Sequence, residues 1–164
     1  MAIFDVALVL SALLCSLVAG FLFAYATVIM PGIKGLDDKG FIKAFQVTDS
    51  IIQNNHPLFL LVWLGSAVSI VVCTIDGFGK LHGVDLFLLL LAAAGYMIGV
   101  QLTTIFVHLP LNNKLQQVDV DNYGKDELKV ARLEFEQRWN KSNKIRTLIA
   151  CSVSLILVLL LLKQ

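Results

Sequence analysis

Four apolar runs, each close to the length of a membrane-crossing helix, leave this chain few ways to fold. They cover roughly residues 6–30, 57–75, 84–107 and 145–162, and about 20 apolar residues suffice for one helical crossing. In hydrocarbon every backbone N–H and C=O needs a partner inside the protein, so each run reads as an α-helix. Residues 1–164 therefore read as a single polytopic domain, an all-α integral membrane four-helix bundle. The punctuation agrees. Pro31-Gly32 is expected to end the first helix, Asp76-Gly77 and Gly79 to turn the chain after the second, and Pro110 to end the third. The first run has only Asp5 near its start and no basic leader, so it is read as a retained span.

Four crossings place both termini and the short turn at residues 76–83 on one side of the bilayer. The longer loops, 31–56 and 108–144, lie on the other. Of 13 Lys and Arg residues, only Lys80 and Lys163 belong to the terminal side; the other 11 belong to the two-loop side. That asymmetry predicts an inner (cytoplasmic) membrane protein with cytoplasmic long loops and extracytoplasmic termini. A net charge of +1 gives no electrostatic footprint for nucleic acid.

Small residues recur at helical spacing within the runs: Ala12, Ser16, Gly20 and Ala24; Gly65 and Ser69; Gly95, Gly99 and Thr103; Ala150 and Ser154. Such ridges predict close antiparallel packing. The Gly95–Gly99 ridge suits a second copy of the chain equally well, which leaves a homo-oligomer open. Cys15, Cys73 and Cys151 fall on three different runs and are read as small apolar residues. Two short amphipathic helices are expected in the loops at one end. One is capped by Asp38 and carries Phe41, Ile42 and Phe45; the other starts near Lys125 and carries Leu128, Arg132, Phe135 and Trp139.

Polar groups gather at that same end. Tyr25 lies near the end of the first run and His56 opens the second. Gln101, Thr104 and His108 share a face of the third at i, i+3 and i+7, and Asn112 follows Pro110. Arg138 precedes the fourth run, and Trp139, Asn143 and Arg146 share a face at i, i+4 and i+7. Gln46 and Asp49 come from the first loop helix. Each has a bland explanation alone: an interfacial belt for Trp139 and Tyr25, snorkelling for Arg146, helix capping for Asn112 and Asn143. Polar groups are costly in a bilayer unless they face a cavity or a partner, so their co-location predicts a pocket. His56 and His108 raise haem or a metal, with Asp49, as an alternative occupant. No Cys-x-x-Cys-His or Glu-x-x-His spacing supports it.

Four motifs occur in a telling order: G-x-x-x-A-Y…V-I-M-P-G (Gly20 to Gly32), F-Q-x-x-D…N-x-x-P (Phe45 to Pro57), P-L-N-x-x-L (Pro110 to Leu115) and R-W-x-x-x-N-x-x-R-T (Arg138 to Thr147). In this the chain resembles the anthrone oxygenase-like family of four-span membrane proteins. The resemblance implies a membrane four-helix bundle and oxidation of an anthrone to an anthraquinone by dioxygen, with no metal or organic cofactor. It departs at His108, where the family pattern has Asn. That change retunes the pocket or supplies a base that relatives lack, so the substrate does not carry over.

The reaction needs a base, donors for a developing oxyanion and an apolar aromatic pocket. His108 or His56 is expected to be the base. Arg146, Asn112 and Asn143 are expected to hold the oxyanion, and Trp139 and Tyr25 to stack on the ring system, with Gln101 and Arg138 as further substrate contacts. The expected partners are the lipid bilayer and a small aromatic or quinone-like ligand. The alternative is a non-catalytic accessory protein that binds a quinone, a lipid or haem. No span carries a buried ion-relay carboxylate, and no inverted repeat supports a transporter.

Overall fold

A computed structural model describes residues 3–164 and contains, among them, five helices and no strand: α1 (Ile3–Ile33), α2 (Asp38–Gln53), α3 (Pro57–Gly77), α4 (Gly83–Gln116) and α5 (Lys125–Leu161). The helices α1, α3, α4 and α5 are each long and apolar enough to cross a membrane. They run up and down in chain order; each span packs on its sequence neighbour, and α5 closes the ring against α1. The result is an antiparallel four-helix membrane bundle. Its outer surface carries apolar side chains such as Leu13, Leu61, Phe87, Leu91, Leu148 and Leu155, all exposed and suited to lipid rather than water.

The buried face of α1 steps through Phe4, Leu8, Ser11, Cys15, Val18 and Leu22 by threes and fours, a coiled-coil seam. Small residues within it, Ala7, Ser11, Ala12 and Ala19, let α3 and α5 approach. The ridge expected on α1 is therefore rotated: Ala12 is buried, whereas Ser16 and Gly20 face outward and nothing surrounds the position of a Cβ at Gly20. On α4 the ridge holds. A Cβ on Gly99 would stand 2.7 Å from the Cδ1 atom of Ile149 on α5. Cys15 and Cys73 are buried and Cys151 faces outward, all as free thiols.

Both termini and the α3–α4 turn share one end. Lys80 of the turn lies 5.5 Å from the Phe4 ring centroid, and Lys163 pairs with Asp85. At the other end α2 and the first turns of α5 form a second apolar core beyond the bundle, built on Phe41, Ile42, Phe45, Leu115, Leu128, Phe135 and Trp139. The cap of α2 falls one residue earlier than expected: Asp37 accepts from the Gly40 N–H at 2.8 Å. With 37 residues, α5 is about 55 Å long at about 1.5 Å per residue. That exceeds the ~30 Å hydrocarbon layer. Its N-terminal half stands clear of the bilayer and supports α2.

The first helix ends one residue past Pro31-Gly32, at Ile33, close to where it is expected to, whereas Pro110 does not end its helix, which continues to Gln116. Each proline follows a π-helical stretch, Tyr25–Ile29 in α1 and Thr104–His108 in α4. The N–H of Met30 reaches the Tyr25 carbonyl and that of Leu109 reaches the Thr104 carbonyl, five residues back in both cases. A proline lacks the N–H that the carbonyl four residues back expects and crowds it sterically. Widening the preceding turn by one residue relieves both problems and lets the helix continue. A further π-helical stretch, Gly95–Leu102, lies just before in α4.

Candidate functional site

The two proline-linked π stretches flank a cavity of about 370 Å³ at the two-loop end, within the ~300–1,000 Å³ range of small-molecule sites. It is walled by seven rings: Phe21 and Tyr25 of α1, Phe45 of α2, Phe59 and Trp63 of α3, His108 of α4 and Trp139 of α5. The rings form a continuous wall. Centroids lie 5.0 Å apart for Phe21–Tyr25, 5.4 Å for Phe21–Phe59, 5.5 Å for the stacked Phe59–Trp63, 5.7 Å for Tyr25–Trp139 and 5.1 Å for His108–Trp139. Asp49, Thr104, Asn112 and Arg146 add the polar lining.

Arg146 is buried, and among the described residues its guanidinium pairs with no carboxylate. Nη1 donates to Thr104 Oγ1 and Nη2 to Asn143 Oδ1, both at 2.8 Å, and buried Nε has no partner. Asn143 is fully buried behind it and also donates to the Leu22 carbonyl at 3.2 Å. Thr104 in turn donates to the Val100 carbonyl at 2.6 Å, so its oxygen is free to receive Arg146. The guanidinium is held in place by neutral groups, and its charge is left uncompensated on the cavity wall.

His108 is buried edge-on to Trp139, with Nε2 3.0 Å from Ser142 Oγ and Nδ1 without a partner. When Nε2 carries the proton and donates to Ser142, Nδ1 keeps a free lone pair. The third polar cluster is a chain. Trp139 Nε1–H donates to Asn112 Oδ1 at 2.9 Å, and Asn112 Nδ2 donates to Asp49 Oδ1 at 2.7 Å. Gln53 and Gln116 donate to Asp49 Oδ2 at 2.7 Å and 3.0 Å.

Of the residues expected from sequence, Tyr25, His108, Asn112, Trp139 and Arg146 line the cavity. Asn143 stands behind Arg146 as its support. Gln101 is buried next to the Trp63 carbonyl, 3.5 Å away, and does not line the cavity. The i, i+3, i+7 face that joined it to Thr104 and His108 assumes regular α-turns, which the π stretches of α4 break. His56 is exposed in the α2–α3 link and faces no part of the cavity; Arg138 is exposed on α5, along a groove shared with Lys114 and Glu134. His56 and His108 thus do not share a space that two axial ligands would need. Among the described residues no three His, Cys, Asp or Glu side chains gather as a metal site.

Phe59 and Trp63, missing from the expected set, sit at i, i+4 on α3, a spacing visible in the sequence that the apolar run around them disguised. Asp49, expected among the polar groups at this end and as a partner of the two histidines on a metal, lines the cavity with amides around it instead.

Fold and cavity together define a class: small polytopic membrane proteins that hold an aromatic-walled, Arg-bearing pocket at one end of a four-helix bundle. A family model described as anthrone oxygenase matches residues 41–156, more than two thirds of the chain. The chain belongs to the anthrone oxygenase family. The match takes in α2 through most of α5, and so every cavity residue except Phe21 and Tyr25. No curated protein and no solved structure matches the chain.

Proposed function

We propose that the cavity binds a planar phenolic or anthrone-type molecule from the bilayer and oxygenates it with dioxygen, without a metal or organic cofactor. The observation that carries this reading is the uncompensated Arg146 guanidinium on the wall of an aromatic cavity. A buried cation without a counter-charge costs several kcal/mol, and a ligand that develops negative charge on oxygen recovers that cost. Such groups, fixed before the reaction begins, stabilise a forming oxyanion without reorganisation.

The proposed sequence uses this chain's own side chains. His108 Nδ1 accepts a proton from the activated C–H of the substrate, and the resulting enolate oxygen lies against Arg146. The electron-rich anion reduces dioxygen by one electron and the radical pair combines at carbon. The peroxide anion takes the proton back from His108, and the hydroperoxide loses water to leave a carbonyl. One methylene and one dioxygen give one ketone and one water. Tyr25, Trp63 and Trp139 hold the ring system, and the aromatic wall shields the anion from bulk water on their side. Asn112 is expected to bind rather than to stabilise the oxyanion, because Trp139 and Asp49 occupy its oxygen and one amide hydrogen.

Oxygen uptake by the purified protein in lipid nanodiscs, across a panel of anthrones, naphthols and hydroquinones, tests the proposal. Wild type should consume oxygen with at least one of them, and Arg146→Gln should lose roughly 10²–10³-fold in kcat, as for removal of one oxyanion donor. Equal rates in the two proteins would remove Arg146 from the reaction. Tight binding of a quinone with no uptake would favour an accessory binding protein.

A further inference from the structure

Asp49 is almost fully buried, yet the reaction above gives it no task. Its carboxylate is surrounded by side-chain amides rather than cations: Asn112 on Oδ1, Gln53 and Gln116 on Oδ2. A carboxylate only accepts, and the Trp139 indole N–H only donates. Asn112 stands between them, so its orientation is dictated from both sides: amide nitrogen toward Asp49, carbonyl toward Trp139. The chain Trp139→Asn112→Asp49 therefore has a single polarity, and it spans α5, α4 and α2.

The same carboxylate ties α2 to α4. Gln116 bridges Asp49 and the Gln46 carbonyl at 3.0 Å each, while Gln46 donates to the carbonyls of Leu115 and Val118 at 2.9 Å. We propose that Asp49 is a positioning residue: through Asn112 it fixes the tilt of the Trp139 indole against the substrate, and it latches α2 over the cavity. The effect on turnover rests on the proposed function; the fixing of the indole does not.

An Asp49→Asn substitution is nearly isosteric but brings its own amide hydrogens against those of Gln53, Gln116 or Asn112, so one donor pair must part. Asn112→Asp sets two carboxylates side by side. The double exchange, Asp49→Asn with Asn112→Asp, restores one polarity: the new carboxylate accepts from Trp139 and from the new amide. Hydrogen exchange of the two indole N–H groups in the intact protein, read by nitrogen-15 NMR and assigned with Trp63→Phe, reports on this chain without any substrate. We expect slow exchange for Trp139 in wild type, exchange about tenfold faster in Asp49→Asn, and recovery in the double exchange. Wild-type exchange in Asp49→Asn, or a double exchange no slower than the single one, would overturn the proposal. Failure of both variants to fold would also overturn it, leaving Asp49 as a purely structural residue. A wild type that turns nothing over would sink the proposed reaction and leave this test intact.

Discussion

At Arg146 a guanidinium is taken out of water and given two neutral partners, with its buried Nε left without any. Such a group destabilises the fold that holds it, which is the usual signature of a side chain kept for its chemistry. Arg146→Gln keeps a donor for Asn143 or Thr104 and removes the charge, so it is expected to melt no lower than wild type while losing turnover. Thermal unfolding followed by near-ultraviolet circular dichroism, beside the oxygen assay, checks both halves. His108 predicts a different signature. Replacement by Asn, the residue that the resemblance leads one to expect there, should slow turnover by about 10²–10⁴ at neutral pH, the range of a general base. The deficit should shrink as pH rises and hydroxide takes over proton removal; a constant ratio across a pH–rate profile would relieve His108 of that role. At this scale Trp139, Asn143 and Arg146 were readable because regular α-helix carries them at i, i+4 and i+7. What spacing does not contain is which polar atoms are already spent. Asn143 and Asn112 turn out to be committed to neighbours, and Asp49 to three amides.

Among the elements, the prolines teach the most. Pro31-Gly32 and Pro110 both read as stops; α1 indeed ends at Ile33, but a π stretch ahead of Pro110 carries α4 on to Gln116. Tyr25, Thr104 and His108 lie within the π stretches ahead of the two prolines and line the cavity, whereas Gln101, in the separate stretch Gly95–Leu102, does not. Hydropathy located all four spans but is blind to a one-residue change in hydrogen-bond register. Glycines show the same limit: two that look alike in sequence differ in surroundings. Gly99→Ala crowds Ile149 and is expected to cost about 1–3 kcal/mol. Gly20→Ala meets open space and is expected to gain about 0.5–1 kcal/mol by helix propensity. Denaturation midpoints of the two variants in one detergent should move in opposite directions; a shared direction would contradict the packing of α4 on α5.

For the molecule as a whole, two cores divide the labour. The bundle core is buried among spans that face lipid, and beside the second core α2 supplies one wall of the cavity. Four apolar runs, and the helix face shared by Trp139, Asn143 and Arg146, made this plan legible before any coordinates; the short loop helix expected from Lys125 proves to be the start of α5 itself. How α2 would dock was not legible, because its contacts depend on side chains from α4 and α5 far away in sequence. The Lys and Arg asymmetry predicts that a reporter fused after Gln164 is active on the extracytoplasmic side; activity in the cytoplasm would invert the orientation and place the cavity at the outer face. Under the proposed function, this membrane cavity oxygenates an aromatic substrate with dioxygen alone. The most direct test follows oxygen consumption and carbonyl product together in protein whose visible spectrum and metal content are recorded on the same sample. A colourless, metal-free protein that uses one dioxygen per ketone formed is the expected result; a Soret band, a stoichiometric metal required for turnover, or ketone formed without matching oxygen consumption would contradict cofactor-free oxygenation in this cavity.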